Sequence, residues 1–249
     1  MNLLDYRAPI DLLRDRVILV TGAGDGIGRA VSLALARHGA TVVLLGRTVA
    51  KLESVYDAIE AEGAPQPAIY PFDLGGALPE HYDELAARVE ESLGRLDGLL
   101  HNAAELGALT PLEQYEPGLW GRVMQVNLNA PFLLTRACLP LLRRAPDASV
   151  VFTTAAVGRR GRAYWGAYAV AYGGVETLVQ VLADELESTP HIRVNSLDPG
   201  RVRTTLHARI YPAENPYRRP PPEAVVPAYL YLLGPDSRHA TGQMLAVEP

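Results

Sequence analysis

The chain of 249 residues has one cysteine, Cys138. A single thiol excludes an intrachain disulfide framework and fits a reducing compartment such as the cytoplasm. Cys138 lies in Phe132-Leu-Leu-Thr-Arg-Ala-Cys-Leu139, which reads as a buried helix, so the thiol is expected to be a packed small apolar group. Apolar runs are no longer than a strand, which excludes a transmembrane helix. Met1 to Arg16 carries Asp5, Asp11 and Asp15 and lacks the basic start and unbroken apolar core of a signal peptide. There is no excess of positive charge: the formal net charge is −5, which argues against nucleic acid or an anionic membrane as partner. Histidines such as His191 and His207 stand at no metal-ligand spacing. No internal repeat or linker divides the chain, so residues 1–249 are expected to form one domain. At this length it can bury roughly 70% or more of its unfolded surface.

Strand and helix patterns alternate along the chain. Short apolar runs at Arg16–Thr21, Thr41–Leu45, Ala68–Phe72, Leu96–His101, Ser149–Thr154 and Ile192–Leu197 read as buried strands. Pro71 gives the third of these an edge-like character. Between them, helical spacing covers Gly26–His38, Val49–Glu62, Pro79–Leu93, Trp120–Arg144 and Gly166–Glu187, the fourth interrupted near Pro131 or Pro140. A short helix (Ala228–Leu233) and a closing strand (Gln243–Val247) end the pattern. Repeated β-α-β order predicts an α/β fold, a doubly wound Rossmann-like parallel sheet with helices on both faces. The stretch Ile210–Pro222 is too proline-rich for a helix or central strand.

Thr21-Gly-Ala-Gly-Asp-Gly-Ile-Gly28 joins the first strand to the first helix. In that context Gly22 permits a tight turn, Gly26 lets backbone approach a pyrophosphate, and Gly28 lets helix and strand pack closely. Phosphates would rest on the amides and dipole at the start of the helix. A structural glycine turn without a ligand is the plainer alternative. The second strand ends in Leu45-Gly-Arg-Thr48, without the Asp or Glu that accepts from an NAD ribose. Arg47 offers a cation suited to a 2′-phosphate, which favours NADP over NAD.

The glycine turn, with Ala155-Ala-Val-Gly158 and Tyr168-Ala-Val-Ala-Tyr172, resembles the short-chain dehydrogenase/reductase family across nearly the whole chain. The resemblance implies cofactor contacts by Gly22, Gly24, Gly26, Ile27, Gly28 and Arg47. It also implies them for Asp73 and Leu74, for Asn102 and Ala103, for Tyr168, and for Pro199 and Gly200 with Thr204 or Thr205. Ala104 stands where that family has Gly, and Glu105 follows as a carboxylate near the expected phosphates. Residues 206–227 occupy the position of the family's substrate lid; a surface loop stiffened by proline is the alternative.

The family works with a Ser, a Tyr, a Lys four residues after the Tyr, and an Asn. Tyr168 and Asn127 match the Tyr and the Asn, but the Ser position holds Ala155 and the Lys position Tyr172. A tyrosine at i+4 shares the helix face and supplies no positive charge. Alternation along a strand directs Thr154 away from Ala155, and Thr153 lies roughly 6–7 Å upstream. Arg159, Arg160 and Arg162 could bring charge near Tyr168, or form a basic loop or interface. Gly173 and Gly174 inside a helix cost about 1 kcal/mol each against Ala. In the resembled family that helix packs on its copy, which implies a homodimer or homotetramer. The expectation is an NADP(H)-binding relative with impaired or lost carbonyl/alcohol oxidoreductase activity. A working reductase using Tyr168 with unusual helpers, acting on a small carbonyl or alcohol, is one alternative. A non-catalytic partner or scaffold subunit of an active relative is another.

Overall fold

β1 (Val17–Thr21) is buried along its whole length because its side chains face helices on both sides. In this computed structural model, which describes residues 2–249, Val17 and Leu19 pack into one core and Ile18 and Val20 into another. The first core lies under α3 (Pro79–Leu93), α5 (Ala130–Leu142) and α7 (Gly166–Glu185). The second lies under α1 (Gly26–Arg37), α2 (Val49–Ala61) and α9 (Val226–Leu233). Alternate strand residues thus face opposite layers.

The other strands are β2 (Thr41–Gly46), β3 (Ala68–Pro71), β4 (Gly98–His101), β5 (Ala148–Thr153), β6 (Ile192–Asp198) and β7 (Met244–Ala246). They form one parallel sheet of seven strands in the order β3-β2-β1-β4-β5-β6-β7. β3 is an edge strand, as Pro71 indicates, because proline cannot donate to a further neighbour. The order reverses between β1 and β4, and such a switch point opens a crevice at the carboxyl ends of the strands.

The connection before β5 differs from the sequence expectation. α4 (Pro117–Met124) runs into a π turn, Gln125–Asn129, and then into α5. The interruption is this turn, which ends two residues before Pro131, whereas Pro140 lies inside α5 without ending it. Pro131 follows closely on this turn and has no N–H to continue the ladder of the preceding turn. The glycine pair also has a different explanation. A Cβ on Gly174 would lie 2.9 Å from Leu128, and one on Gly173 would lie 3.2 Å from the Gly158 carbonyl. Both absences of a side chain serve packing within the chain, so they are not in themselves an argument for a partner subunit.

At the amino ends of the strands, Asp147 accepts from both Arg16 and Arg193. Arg193 is 1% exposed and also donates to the Gly234 carbonyl at 3.1 Å. Cys138 is fully buried, and burial pushes its thiol up to about 12, which makes it an inert packing group. Among the described residues no helix is long and apolar enough to cross a membrane.

Candidate active site

The crevice at the switch point is a cavity of about 860 Å³. Its floor is the turn after β1, where Gly22 and Gly26 have φ of +68° and +50°, a backbone that favours glycine. Gly24 and Ile27 line the cavity with them. Gly28 lies behind the wall. A Cβ there would fall 2.2 Å from the Gly22 carbonyl oxygen, so only glycine lets α1 approach β1. The neighbouring turn after β4 is tied in by Thr21, whose Oγ1 accepts from Asn102 N at 2.9 Å and Ala103 N at 3.0 Å. Asn102, Ala103 and Ala104 all line the cavity.

Asp25 caps α1, accepting from Gly26 N at 2.7 Å. Its other oxygen takes Lys51 Nζ at 2.5 Å and Thr205 Oγ1 at 3.3 Å. Burial opposes its ionised form, but these donors hold the carboxyl below its ordinary value. Arg47, Asp73 and Leu74 line the same end of the cavity. Arg47 Nη1 is 3.8 Å from Glu105 Oε2, and Glu105 Oε1 is 3.6 Å from Arg209 Nη2 on α8 (Thr205–Ile210). The carboxylate that follows Ala104 therefore stands between two arginines, which offset its repulsion of a phosphate. The pairings of Asp25 and Glu105 are not visible in sequence, because each crosses between distant elements.

Asn127 is 2% exposed and sits in the π turn. Its Oδ1 accepts from Glu105 N and its Nδ2 donates to Glu105 O, both at 2.8 Å. It does not line the cavity. Its place is behind the wall, where it positions the loop carrying Glu105.

At the opposite end α7 presents Tyr168 and Tyr172, each 5% exposed, with ring centroids 4.7 Å apart. Burial, then Tyr172, then Asp198 all push the Tyr168 phenol well above its ordinary value. Burial takes the Tyr172 phenol up to about 12. Asp198, at the end of β6, is raised too by burial, although it accepts from Gly200 N at 3.0 Å. This carboxylate beside the phenols lines the cavity without belonging to the motif, and its place immediately before Pro199-Gly200 is the sequence signal for it. Ala155 lines the cavity and offers no hydroxyl. Thr153 and Thr154 also line it, so Thr154 is not simply turned away as strand alternation suggests, because β5 ends at Thr153. Their hydroxyls differ in what they touch. Thr153 Oγ1 bonds the Tyr229 hydroxyl at 3.0 Å, and Thr154 Oγ1 is buried with no partner among the described residues.

Arg159, in α6 (Ala156–Arg159), does not supply the missing charge. It donates to buried Glu176 at 3.1 Å and to the Leu245 carbonyl at 2.8 Å. Arg162 lines the cavity, whereas Arg160 does not. His101 is buried against Phe152 and bonded to Thr135 at 2.8 Å; burial pushes its pKa down to about 3, so it stays neutral. Pro199, Gly200, Thr204 and Thr205 line the side nearest β6. Residues 206–227 flank the opening: Leu206 and Ile210 pack on the Tyr168 cluster, and Glu214 accepts from Arg219 Nε at 2.9 Å and contacts His207 at 2.6 Å. Among the described residues no group of His, Cys, Asp and Glu is placed to hold a metal.

A glycine turn at the switch point of a parallel sheet, with a tyrosine-bearing helix on the same crevice, defines a dinucleotide-binding α/β protein of the oxidoreductase type. The sequence pattern of the family described as short chain dehydrogenase matches residues 16–215. The oxidoreductase YciK of Escherichia coli, itself uncharacterized, is 46% identical, over 99% of this chain and 97% of its own. A short chain dehydrogenase structure from Pseudomonas syringae is 54% identical with a TM-score of 0.94, covering 98% of this chain and 99% of that one. One from Shigella flexneri, complexed with NADP, is 46% identical with a TM-score of 0.93, over 97% and 100% of the two chains. The chain belongs to the short-chain dehydrogenase family.

Proposed function

We propose that this chain binds NADP(H) in the crevice and has strongly impaired carbonyl/alcohol oxidoreductase turnover. The cradle fits a dinucleotide: the two positive-φ glycines and the start of α1 suit a pyrophosphate, and Arg47 suits a 2′-phosphate. Two similar solved structures, from Shigella flexneri and Escherichia coli, hold NADP and NADPH. When bound, the nicotinamide supplies or accepts a hydride.

The impairment rests on one observation: the Tyr168 phenol is buried beside a second phenol and a carboxylate, with its pKa raised by all of them. A proton carrier of this chemistry gains from a neighbouring cation that favours phenolate. Here the i+4 position gives an aromatic edge instead, and Ala155 removes a donor to the substrate oxygen. Losing such a donor costs about 10²–10³ in rate.

A second reading has its own support. The raised pKa keeps Tyr168 protonated, so it can donate to a carbonyl oxygen without first being ionised. Residual reduction is therefore favoured over alcohol oxidation. In a third reading the chain is a cofactor-free partner subunit. Half-exposed Phe132 on α5 and Val170 and Val181 on α7 support a homodimer or homotetramer, and the lone buried thiol suits the cytoplasm. The segment 206–227, which carries most of α8 at the cavity mouth, is proposed as the lid.

Titration with NADPH and NADH, read by fluorescence and melting temperature, tests the binding. Stabilisation rises as RT ln(1 + [L]/Kd), with NADPH acting at the lower concentration. No shift with either nucleotide would leave the structural-subunit reading.

A further inference from the structure

Six cationic side chains line the cavity: Arg47, Lys51, Arg162, Arg201, Arg209 and Arg219. Four are matched by carboxylates. Lys51 pairs with Asp25, Arg47 and Arg209 share Glu105, and Arg219 pairs with Glu214. Among the described residues, the Arg162 and Arg201 guanidinium groups have neither an ion pair nor a hydrogen-bond partner. The Arg201 guanidinium lies 4.8 Å over the Tyr211 ring, which supports its flat face and leaves its N–H edge available.

Both arginines belong to the end of the crevice that holds the tyrosines. Arg162 is on the loop between α6 and α7, and Arg201 lies three residues beyond the end of β6. The wall there is apolar: Trp165, Leu206 and Ile210 line it and pack with Tyr168 and Tyr172. Negative groups nearby do not neutralise the pair. Asp198 is engaged by Gly200 N, while Glu248 lines the cavity without forming an ion pair among the described residues. An apolar wall with two unmatched guanidinium forks suits a ligand with an apolar body and an anionic end.

We infer that the tyrosine end of the cavity takes an amphiphilic anion. Its alkyl or aromatic body lies against Trp165, Leu206 and Ile210, and its carboxylate or phosphate is held by Arg162 and Arg201. This deepens the proposed function, resting on it only in assigning the other end of the cavity to the dinucleotide.

Calorimetric titration with 3-phenylpropionate, its amide and 2-phenylethyl phosphate tests the inference, with and without saturating NADPH. One of the anions is expected to bind roughly tenfold or more tightly than the amide, the range of a charge-assisted hydrogen bond. Added salt reduces the preference. The double variant Arg162→Gln, Arg201→Gln is expected to abolish it. Arg160→Gln, on the same loop but outside the cavity, retains it. Equal binding of anions and amide, no binding of any probe at millimolar concentration, or a preference that survives the double variant would overturn the inference. An anion preference in a chain that fails to bind NADPH keeps this inference and removes the dinucleotide reading. NADPH binding without an anion preference does the reverse.

Discussion

Tyr172 lies edge-on to Tyr168, one helical turn away on α7, with ring centroids 4.7 Å apart and an interplanar angle of 67°. The contact fills with aromatic edge the place where a cation would act on the Tyr168 hydroxyl. Gly158 makes room for it, since a Cβ there would fall 2.7 Å from the Tyr172 Cβ. At this point of the site a second buried phenol, hydrogen-bonded to Tyr168, stands in place of a cation.

Neither phenol should ionise in the folded protein at ordinary alkaline pH. Tyr168 is raised well above 10 and Tyr172 up to about 12, both first by burial. A group bound more tightly to its proton when folded stabilises the fold below its unfolded pKa, and loses that contribution as pH rises through the folded value. Ultraviolet titration at 295 nm should therefore show the same amplitude to about pH 10 for the unaltered chain and for Tyr168→Phe with Tyr172→Phe. An early signal lost in the double variant would contradict the burial argument.

Any residual carbonyl reduction should be insensitive to pH across the range where a cation-activated tyrosine would titrate. Its proton-donating form persists because the pKa is raised rather than lowered. A plot of kcat/KM against pH from 6 to 9 is expected to show no step from Tyr168. A fall in reduction rate within that range that Tyr168→Phe eliminates would point to an activating group.

Arg47→Ala should weaken NADPH binding by roughly tenfold or more while leaving NADH within about twofold, since only NADPH carries the 2′-phosphate that a guanidinium recognises. Glu105→Gln frees Arg47 from a carboxylate 3.8 Å away and should tighten NADPH more than NADH, most clearly at low salt. Fluorescence titration of both nucleotides checks the pair.

Asp147→Ala should destabilise the fold by about 3–5 kcal/mol, because it leaves Arg193 buried without its counter-charge. Urea denaturation should show a lower midpoint at unchanged slope. Burial opposes ionisation of Asp147, but Arg193 and Arg16 hold its carboxyl below the usual range. That stability is complete above the unfolded carboxylate pKa of about 3.9 and is lost as pH falls through the folded value.

The glycine turn, the parallel order and most element boundaries were legible because each follows from local pattern: apolar period, positive-φ glycine, and proline at a sheet edge. The π turn was not, since it leaves the apolar spacing nearly intact and the contact it presents, the Asn127 clamp on Glu105, spans 22 residues. Ala155 and Tyr172 could be placed by motif alone. Asp198 had only its place before Pro199-Gly200 as a signal, and the Asp25–Lys51 and Glu105–Arg47 pairs had none, because each depends on which strand ends the topology brings together. Arg159 looked available in sequence and proved committed to Glu176, a partner one helix away.

Restoring charge and hydroxyl together tests the central claim most directly. In Ala155→Ser with Tyr172→Lys, the new ammonium would lie near Asp198 and one turn from Tyr168, lowering the phenol pKa. NADPH oxidation at 340 nm, measured at saturating NADPH over a carbonyl panel, should be at least about 10²-fold faster in the double variant than in the unaltered chain. Each single variant should recover only a small part, as expected for groups that act as a unit. An unaltered chain that turns over any carbonyl as fast as the double variant would contradict the account.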